Sequence, residues 1–453
     1  MAFSEDVHLL IWLSAAIVLM TLLAISSPFL TEYIRKWNIM KPIPGFSPTY
    51  PIIGNALQFK PNGGGKKWHS RRKMITPTFH FAILSEFLEV MNEQSKVLVE
   101  KFKEKMDKEA FNCFMDVTLC ALDIISETAM GKKIYAQSNS DSEYIHAVYK
   151  MSDIIHRRQK MPWLWPDFLY SKLKDGKEHD RNLGILHSFT DSVIQERATE
   201  MKTQHSQGKG ITSKLKSIKR KKRSAFLDML LNTTDESGKA LNYQDIREEV
   251  DTFMFEGHDT TAAAMNWSLY LLGSHPQAQI QVHKELDEVF GESDRPVTME
   301  DLKDLRYLEA VIKEALRLFP SVPFYARTIC EDCTIRGFKV PKGVNVLIVP
   351  YALHRDPEYF PEPEDFRPER FFPEATNGRS PYAYIPFSAG LRNCIGQRFA
   401  LMEEKVVLST ILRKFWIETN QKRDELGLVG ELILRPQEGI WIQLKDRRQF
   451  ISE

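Results

Sequence analysis

The amino-acid sequence predicts a mainly α fold with a small β-sheet, preceded by one N-terminal transmembrane helix. Three observations carry that expectation: one uncharged apolar stretch near the start, helical patterns with start and stop signals from about 69 to 330, and short β-type runs broken by Gly and Pro after Pro320. The chain has 453 residues, 43% of them hydrophobic, which excludes global disorder and a polytopic membrane protein. Lys and Arg number 61 against 60 Asp and Glu, a balance that argues against nucleic acid as a partner, because phosphate binding depends on a cationic surplus. Five cysteines, sparse and odd in number, imply no secreted disulfide framework.

Leu9 to Thr31 contains no Asp, Glu, Lys, Arg or His. About 20 such residues span a bilayer's hydrocarbon core as a helix. A cleaved signal peptide would want a shorter apolar run and a basic leader, whereas Glu5 and Asp6 precede this one; a buried core helix would show a polar stripe. Arg35, Lys36 and Lys41 follow the span, which places the bulk of the chain in the cytosol by the positive-inside rule. Residues 1–31 are thus expected as a membrane anchor and 32–65 as a linker, stiffened by Pro42, Pro44, Pro48 and Pro51 and jointed at Gly63, Gly64 and Gly65. Residues 66–453 form the remaining domain.

Within that domain, Gln204 to Arg223 is polar and strongly basic. It reads as a solvated loop in preference to an anionic-lipid patch or a nuclear address. Asn242 to Ser274 reads as one long helix: Asn242 caps it, Asp245, Glu248 and Glu249 favour its positive end, and Pro276 stops it. A second helix is expected from about Met299 to Phe319, ending at Pro320, and β-type runs at Cys333 to Val340 and Val344 to Pro350.

The sharpest chemical signal is PFSAGLRNCIGQRFALMEEK, Pro386 to Lys405. Cys394 sits in a loop with Gly390 and Gly396, immediately before a helical pattern. A thiol at a helix start is biased toward thiolate, and a metal or a cationic neighbour would complete the shift. The glycines admit a flat, bulky group, and Arg392 offers a fork for a carboxylate. Cys113 and Cys120 read instead as small buried hydrophobes. Cys330 and Cys333 make a CxxC without a second half, which is weak evidence for zinc and is read as incidental; His258 is expected to be structural.

F-x-x-G-x-R-x-C-x-G, from Phe387 to Gly396, resembles the haem-binding signature of the cytochrome P450 superfamily, and the fold class implied is the haem-thiolate monooxygenase fold. Four further places agree in order. EALR with FRPERF gives Glu314, Arg317 and Arg370, which the resemblance implies to be a buried ion-pair network. FEGHDTT gives Asp259 and Thr260 as the acid–alcohol pair that relays protons; offsets of 0, 3 and 4 put Glu256, Asp259 and Thr260 on one helix face, turn Thr261 away, and leave a notch at Gly257 where the helix can open. Glu256 is implied to be esterified to a haem methyl. KWHSRRK and FYARTI give Trp68, Arg72 and Arg327, which with Arg392 are the implied partners of the haem propionates.

KPIPGFSPTYPIIGNAL, RRKMITPTFHF, LCALDIISETAMGK, DTFMFEGHDTTAAA and ALHRDP carry the likeness further, to family 4, subfamily V. That implies haem b ligated by Cys394, medium- and long-chain fatty acids hydroxylated at or near the ω carbon, electrons from NADPH through a flavoprotein reductase, and a single-pass location in the endoplasmic reticulum membrane. The chain departs from the pattern at one place. Pro51 to Trp68 spans only 17 positions, so roughly 70 residues of the pattern, a stretch of small-domain size, have no counterpart. Their loss is expected to expose an edge on the strand near Val344 to Pro350 and to open the pocket to water, which uncouples oxygen activation from hydroxylation. A membrane-bound but catalytically impaired isoform is therefore the alternative reading.

Overall fold

The computed structural model describes residues 17, 20–21, 27–28, 31–32, 34–36, 38–39, 64–79, 81–139, 141–207, 226–234, 238, 240–430 and 432–449. Most of the apolar span Leu9 to Thr31, the junction at 40–63 and the body of the basic stretch lie outside the described residues. Among the described residues, no helix is long and apolar enough to cross a membrane. The chain divides into two compact units, Met1–Asn62 with Tyr325–Ile348, and Gly63–Phe324 with Val349–Glu453.

The larger unit opens with α1 (Gly64–Ile75), α2 (Phe81–Lys103), the short strand β1 (Phe111–Asn112) and α3 (Phe114–Ile125), which runs into one π-helical turn, Ser126–Met130. Then come α4 (Glu143–Lys160), α5 (Lys174–Gln207), α6 (Phe226–Asn232), the long α7 (Tyr243–Ser274), α8 (Pro276–Phe290) and α9 (Arg306–Leu318). In the smaller unit, β2 (Tyr325–Thr328) pairs antiparallel with β5 (Asn345–Ile348), and β3 (Cys333–Ile335) with β4 (Phe338–Val340). The larger unit closes with α10 (Gln397–Leu412), β6 (Phe415–Glu418), the hairpin β7 (Leu428–Gly430) and β8 (Leu434–Pro436), and β9 (Trp441–Asp446). Strands β1, β9 and β6 form a three-stranded sheet in that order.

The long helix forms as its sequence dictates. The side chain of Asn242 accepts from the Asp245 amide at 2.8 Å, satisfying one of the unpaired N–H groups of the first turn. Its end at Ser274 falls two residues before Pro276, which has no N–H to continue the ladder and begins α8. From Thr261 to Gly273 every residue of α7 is buried, between α3, α9, α10 and strand β6. Trp267 stacks on Phe319 with ring centres 4.2 Å apart and donates to the Leu434 carbonyl at 3.2 Å. Burying each such side chain is worth about 1.5–3 kcal/mol or more, which makes the C-terminal half of α7 the axis of the core.

Two expectations are corrected. The helix expected from Met299 to Phe319 breaks at Leu305 into a single turn, Asp301–Asp304, and α9. The cause is Glu285 of α8, whose carboxylate accepts the amides of Tyr307 and Leu308 at 2.5 and 3.0 Å and so caps a new helix start. In place of a single small sheet, the described residues form four, and β1, β6, β7, β8 and β9 lie outside the expected β-type runs. Strand β5 pairs with β2 among the described residues, and the junction at 40–63, on which the expectation of an exposed edge rests, lies outside them.

Candidate functional site

The loop from Pro386 to Gly396 is held by its own backbone and by one arginine. The Cys394 amide donates to the Phe387 carbonyl at 2.8 Å and the Asn393 amide to Gly390 at 3.1 Å; Ser388 (φ 60°) and Gly390 (φ 76°) take left-handed conformations to close the turn. Arg72, on α1, donates from both terminal nitrogens to the Asn393 carbonyl and to Asn393 Oδ1, each at 2.8 Å. Arg72 thereby braces the cysteine loop, because a carbonyl and an amide oxygen on one residue match its fork. Arg392 lies over the Trp68 ring at 3.9 Å, so these two residues meet as expected.

Cys394 differs from Cys113 and Cys120, which are wholly buried. Its side chain is exposed by surface area, yet protein surrounds it closely enough that burial pushes the thiol up. Both statements describe one geometry, a thiol on the wall of a recess. The charges of Glu256 and Glu404 push the same way, while the Gly396 amide and Arg72 oppose. The helix start alone therefore does not produce a thiolate, and a bound cation would complete the shift. Gly396 leaves the sulfur clear, since even a Cβ there would lie 3.8 Å from Sγ. A soft donor with an open face, beside a glycine and a guanidinium, fits the thiolate side of an iron porphyrin. The cleft of about 780 Å³ between the Lys132–Phe189 elements contains none of these residues.

On α7, Glu256 is accessible, and burial by surrounding protein, then the charge of Asp259, raises its pKa. It lies in electrostatic range of Cys394. Thr260 donates to the Glu256 carbonyl at 3.0 Å. Asp259, expected on the same face, turns inward: it is 3% exposed and ion-paired through Oδ2 to Arg435 Nη2 on β8, with Oδ1 unpartnered. Thr261 does turn away and is buried, donating to the Gly257 and His258 carbonyls. The notch at Gly257 is filled rather than open, because Ile125 of α3 occupies it and the helix stays continuous. His258 is buried, bonded to the Met254 carbonyl at 2.7 Å and held neutral by burial, a structural residue.

Glu314, Arg317 and Arg370 come together. Arg317 grips Glu314 with two bonds of 2.7 and 2.8 Å, Arg370 approaches it at 3.4 Å, and Arg317 also donates to the carbonyls of His354, Pro363 and Asp365. Arg327 lies on β2 of the smaller unit, over the Tyr325 ring at 4.8 Å. Sequence reasoning missed Arg435, which lies 176 residues from Asp259 in a short hairpin without a motif. It also missed Glu403 and Glu404, fully buried on α10, where burial keeps both carboxyls well above their ordinary range. Their signal was present: two adjacent acids on a helix whose other core positions, Lys405 and Ser409 apart, are apolar.

The family model described as Cytochrome P450 matches residues 44–443. The chain is 53% identical to cytochrome P450 4V2 of Mus musculus, with 97% of each covered, and 55% identical to cytochrome P450 4V2 of Homo sapiens, with 92% of each covered. It is 52% identical to cytochrome P450 4c3 of Drosophila melanogaster over 88% of this chain and 75% of that one. The mouse alignment runs over 516 positions, whereas 97% of 453 residues is about 440, so about 75 positions of that relative have no counterpart here. The solved structure described as the cytochrome P450DA heme domain matches with a TM-score of 0.71 and 26% identity, covering 87% of this chain and 79% of that one.

Proposed function

The chain belongs to the cytochrome P450 family, in family 4, subfamily V, and is a haem b monooxygenase; from that premise we propose that it hydroxylates medium- and long-chain fatty acids at or near the ω carbon. The observation that carries the reading is the recess thiol of Cys394 with the Glu256 carboxyl in electrostatic range. Haem b, when bound, supplies the dioxygen activation and one-electron chemistry that no side chain provides. Cys394 would ligate its iron. Glu256 would hold it, as an ester where the methyl C–H bond is first oxidised at the expense of O2 and the reductase electrons, and the ester would remove the cost of a carboxylate placed among protein atoms. Trp68, Arg72 and Arg392 would hold the propionate edge, Arg72 also keeping the loop in shape, and Arg327 is assigned to a propionate by the family resemblance alone. Asp259 and Thr260 hold and pass protons, so that the pocket need not admit bulk water.

In this reading electrons come from NADPH through a membrane-bound flavoprotein reductase. Residues 1–31 anchor the chain in the endoplasmic reticulum membrane, 32–65 link it, and 66–453 face the cytosol. A second reading is favoured by the roughly 75 positions without counterpart, namely a membrane-bound form with impaired turnover. Reduced-CO difference spectroscopy followed by dodecanoate turnover with reductase separates the two. A thiolate-type Soret band with ω-hydroxylated product supports the first, and a thiolate-type band with NADPH consumed mainly to peroxide supports the second. Absence of any thiolate-type band removes the first and leaves the second, as a form that does not hold haem. Extraction with acidified acetone tests the tether: haem retained by the protein supports the ester, and complete release removes it.

A further inference from the structure

The ion pair between Asp259 and Arg435 is made by one leg only. Oδ2 meets Nη2, while Asp259 Oδ1 and Arg435 Nε are both buried and without a partner. A side-on guanidinium–carboxylate pair would use Nε as its second leg, so the geometry here holds two complementary groups apart. A third buried, unpartnered group lies within electrostatic range of them: Tyr149 Oη on α4, which feels the charges of both Asp259 and Arg435. Residues of α4, α7 and β8 thus leave one carboxylate acceptor, one guanidinium donor and one hydroxyl unsatisfied. Leaving such groups bare costs about 1–3 kcal/mol each. A buried water typically makes about three hydrogen bonds to groups of this kind.

We propose that Asp259 Oδ1, Arg435 Nε and Tyr149 Oη bind one ordered water, and that this water is the immediate proton donor to Asp259. The inference deepens the relay reading given above and rests on it. Its force lies in orientation. Arg435 Nε–H can only donate to the water and so fills one of its lone pairs, while the Tyr149 hydroxyl can donate or accept; either way the water keeps a hydrogen for the carboxylate, which can only accept. Neighbouring Glu256 and His258 do not compete for the site: His258 is neutral and bonded to Met254, and Glu256 faces the recess. Arg435 is then a positioning residue, holding Oδ2 so that Oδ1 keeps its side toward the water.

The first test is an experimental structure of the haem-loaded full chain at a resolution that places waters. A water within hydrogen-bond reach of all three atoms supports the site; a closed two-legged ion pair, or a direct Tyr149–Asp259 bond, overturns it. The second test is Tyr149→Phe, checked for an unchanged reduced-CO band and then assayed for peroxide formed per NADPH consumed. Loss of one hydrogen bond of about 1 kcal/mol predicts a rise of about fivefold. A parental peroxide yield in Tyr149→Phe beside a raised one in Asp259→Asn overturns the water site alone; a parental yield in Asp259→Asn overturns the relay reading beneath it.

Discussion

The Cys394 loop and the Glu256–Thr261 segment of α7 lie in electrostatic range of each other but are built in opposite ways. In the loop, the groups that fix its shape are bonded across elements: Arg72 to Asn393, Arg317 to Glu314 and three carbonyls, and the Ile385 amide to His354 Nε2 at 2.9 Å, whereas Arg370 Nε, His354 Nδ1 and carboxyl oxygens of Glu403 and Glu404 beneath it are bare. On the α7 side, Asp259 Oδ1, Arg435 Nε and Tyr149 Oη are buried and bare. A region whose bonds are closed holds a ligand in place. One whose bonds are open has capacity left to bind and move protons.

The largest effect tests the closed side. Cys394→Ser should abolish the thiolate-type reduced-CO band completely, because no other cysteine with an open face stands in that loop. Retention of the band would show that a different sulfur is the ligand, and the contrast between the two regions would lose its first term. Next is Glu314→Ala. It leaves Arg317 fully buried and Arg370 nearly so, without their carboxylate, and breaking a buried pair in this way costs about 3–5 kcal/mol. Denaturant unfolding of the full chain measures it, and a loss below about 1 kcal/mol, the level of a surface pair, would mean the network is not closed as described.

A pH effect follows from the same closed scaffold. His354 is fully buried, its Nε2 must keep a lone pair to accept from Ile385, and burial aided by Arg317 and Arg355 lowers its pKa to about 3. The folded value lies below the unfolded one near 6.5, so its contribution is complete above about pH 6.5 and is lost progressively as pH falls toward 3. Between pH 6.5 and 5 that is a loss of about 2 kcal/mol. His283, also lowered to about 3 by burial and then by Arg447, adds a similar slope. His354→Gln keeps an acceptor but does not titrate, so unfolding free energies at pH 7 and pH 5 should differ less in the variant; equal slopes would show that His354 titrates freely.

What the sequence made legible tracks the range of each interaction. Asn242 as a cap, Pro276 as a stop, and Cys394 before a helix are local, and each reads within a few residues. The meeting of Trp68 with Arg392 and of Glu314 with Arg370 was legible only through the resemblance, since nothing in spacing joins residues so far apart. Burial of Asp259 was legible from the apolar residues on either side of it, but its partner was not. Offsets on a helix give the face of a side chain to within about a quarter turn, and Arg435, reaching from a three-residue strand, decided the rest. The split of the Met299–Phe319 helix has the same origin, a carboxylate arriving from α8.

The smallest effect probes whether the α7 segment is as rigid as the scaffold it faces. A Cβ on Gly257 would come within 2.6 Å of Ile125 Cδ1 and Cγ1, closer than any carbon pair tolerates. Gly257→Ala gains about 1 kcal/mol of helix propensity and incurs an overpacking cost of about 1–3 kcal/mol, so the net expectation is a destabilisation of about 1 kcal/mol. Ile125→Ala removes the obstructing atoms, and in that background Gly257→Ala should stabilise instead. The change of sign across a double-mutant cycle isolates the contact from everything else the two substitutions do. If Gly257→Ala is stabilising in the parent chain as well, Ile125 yields without cost and α7 is plastic at this point. The open polar groups at Asp259 would then belong to a helix that moves, and the division between a fixed thiolate scaffold and a preorganised proton site would have to be redrawn.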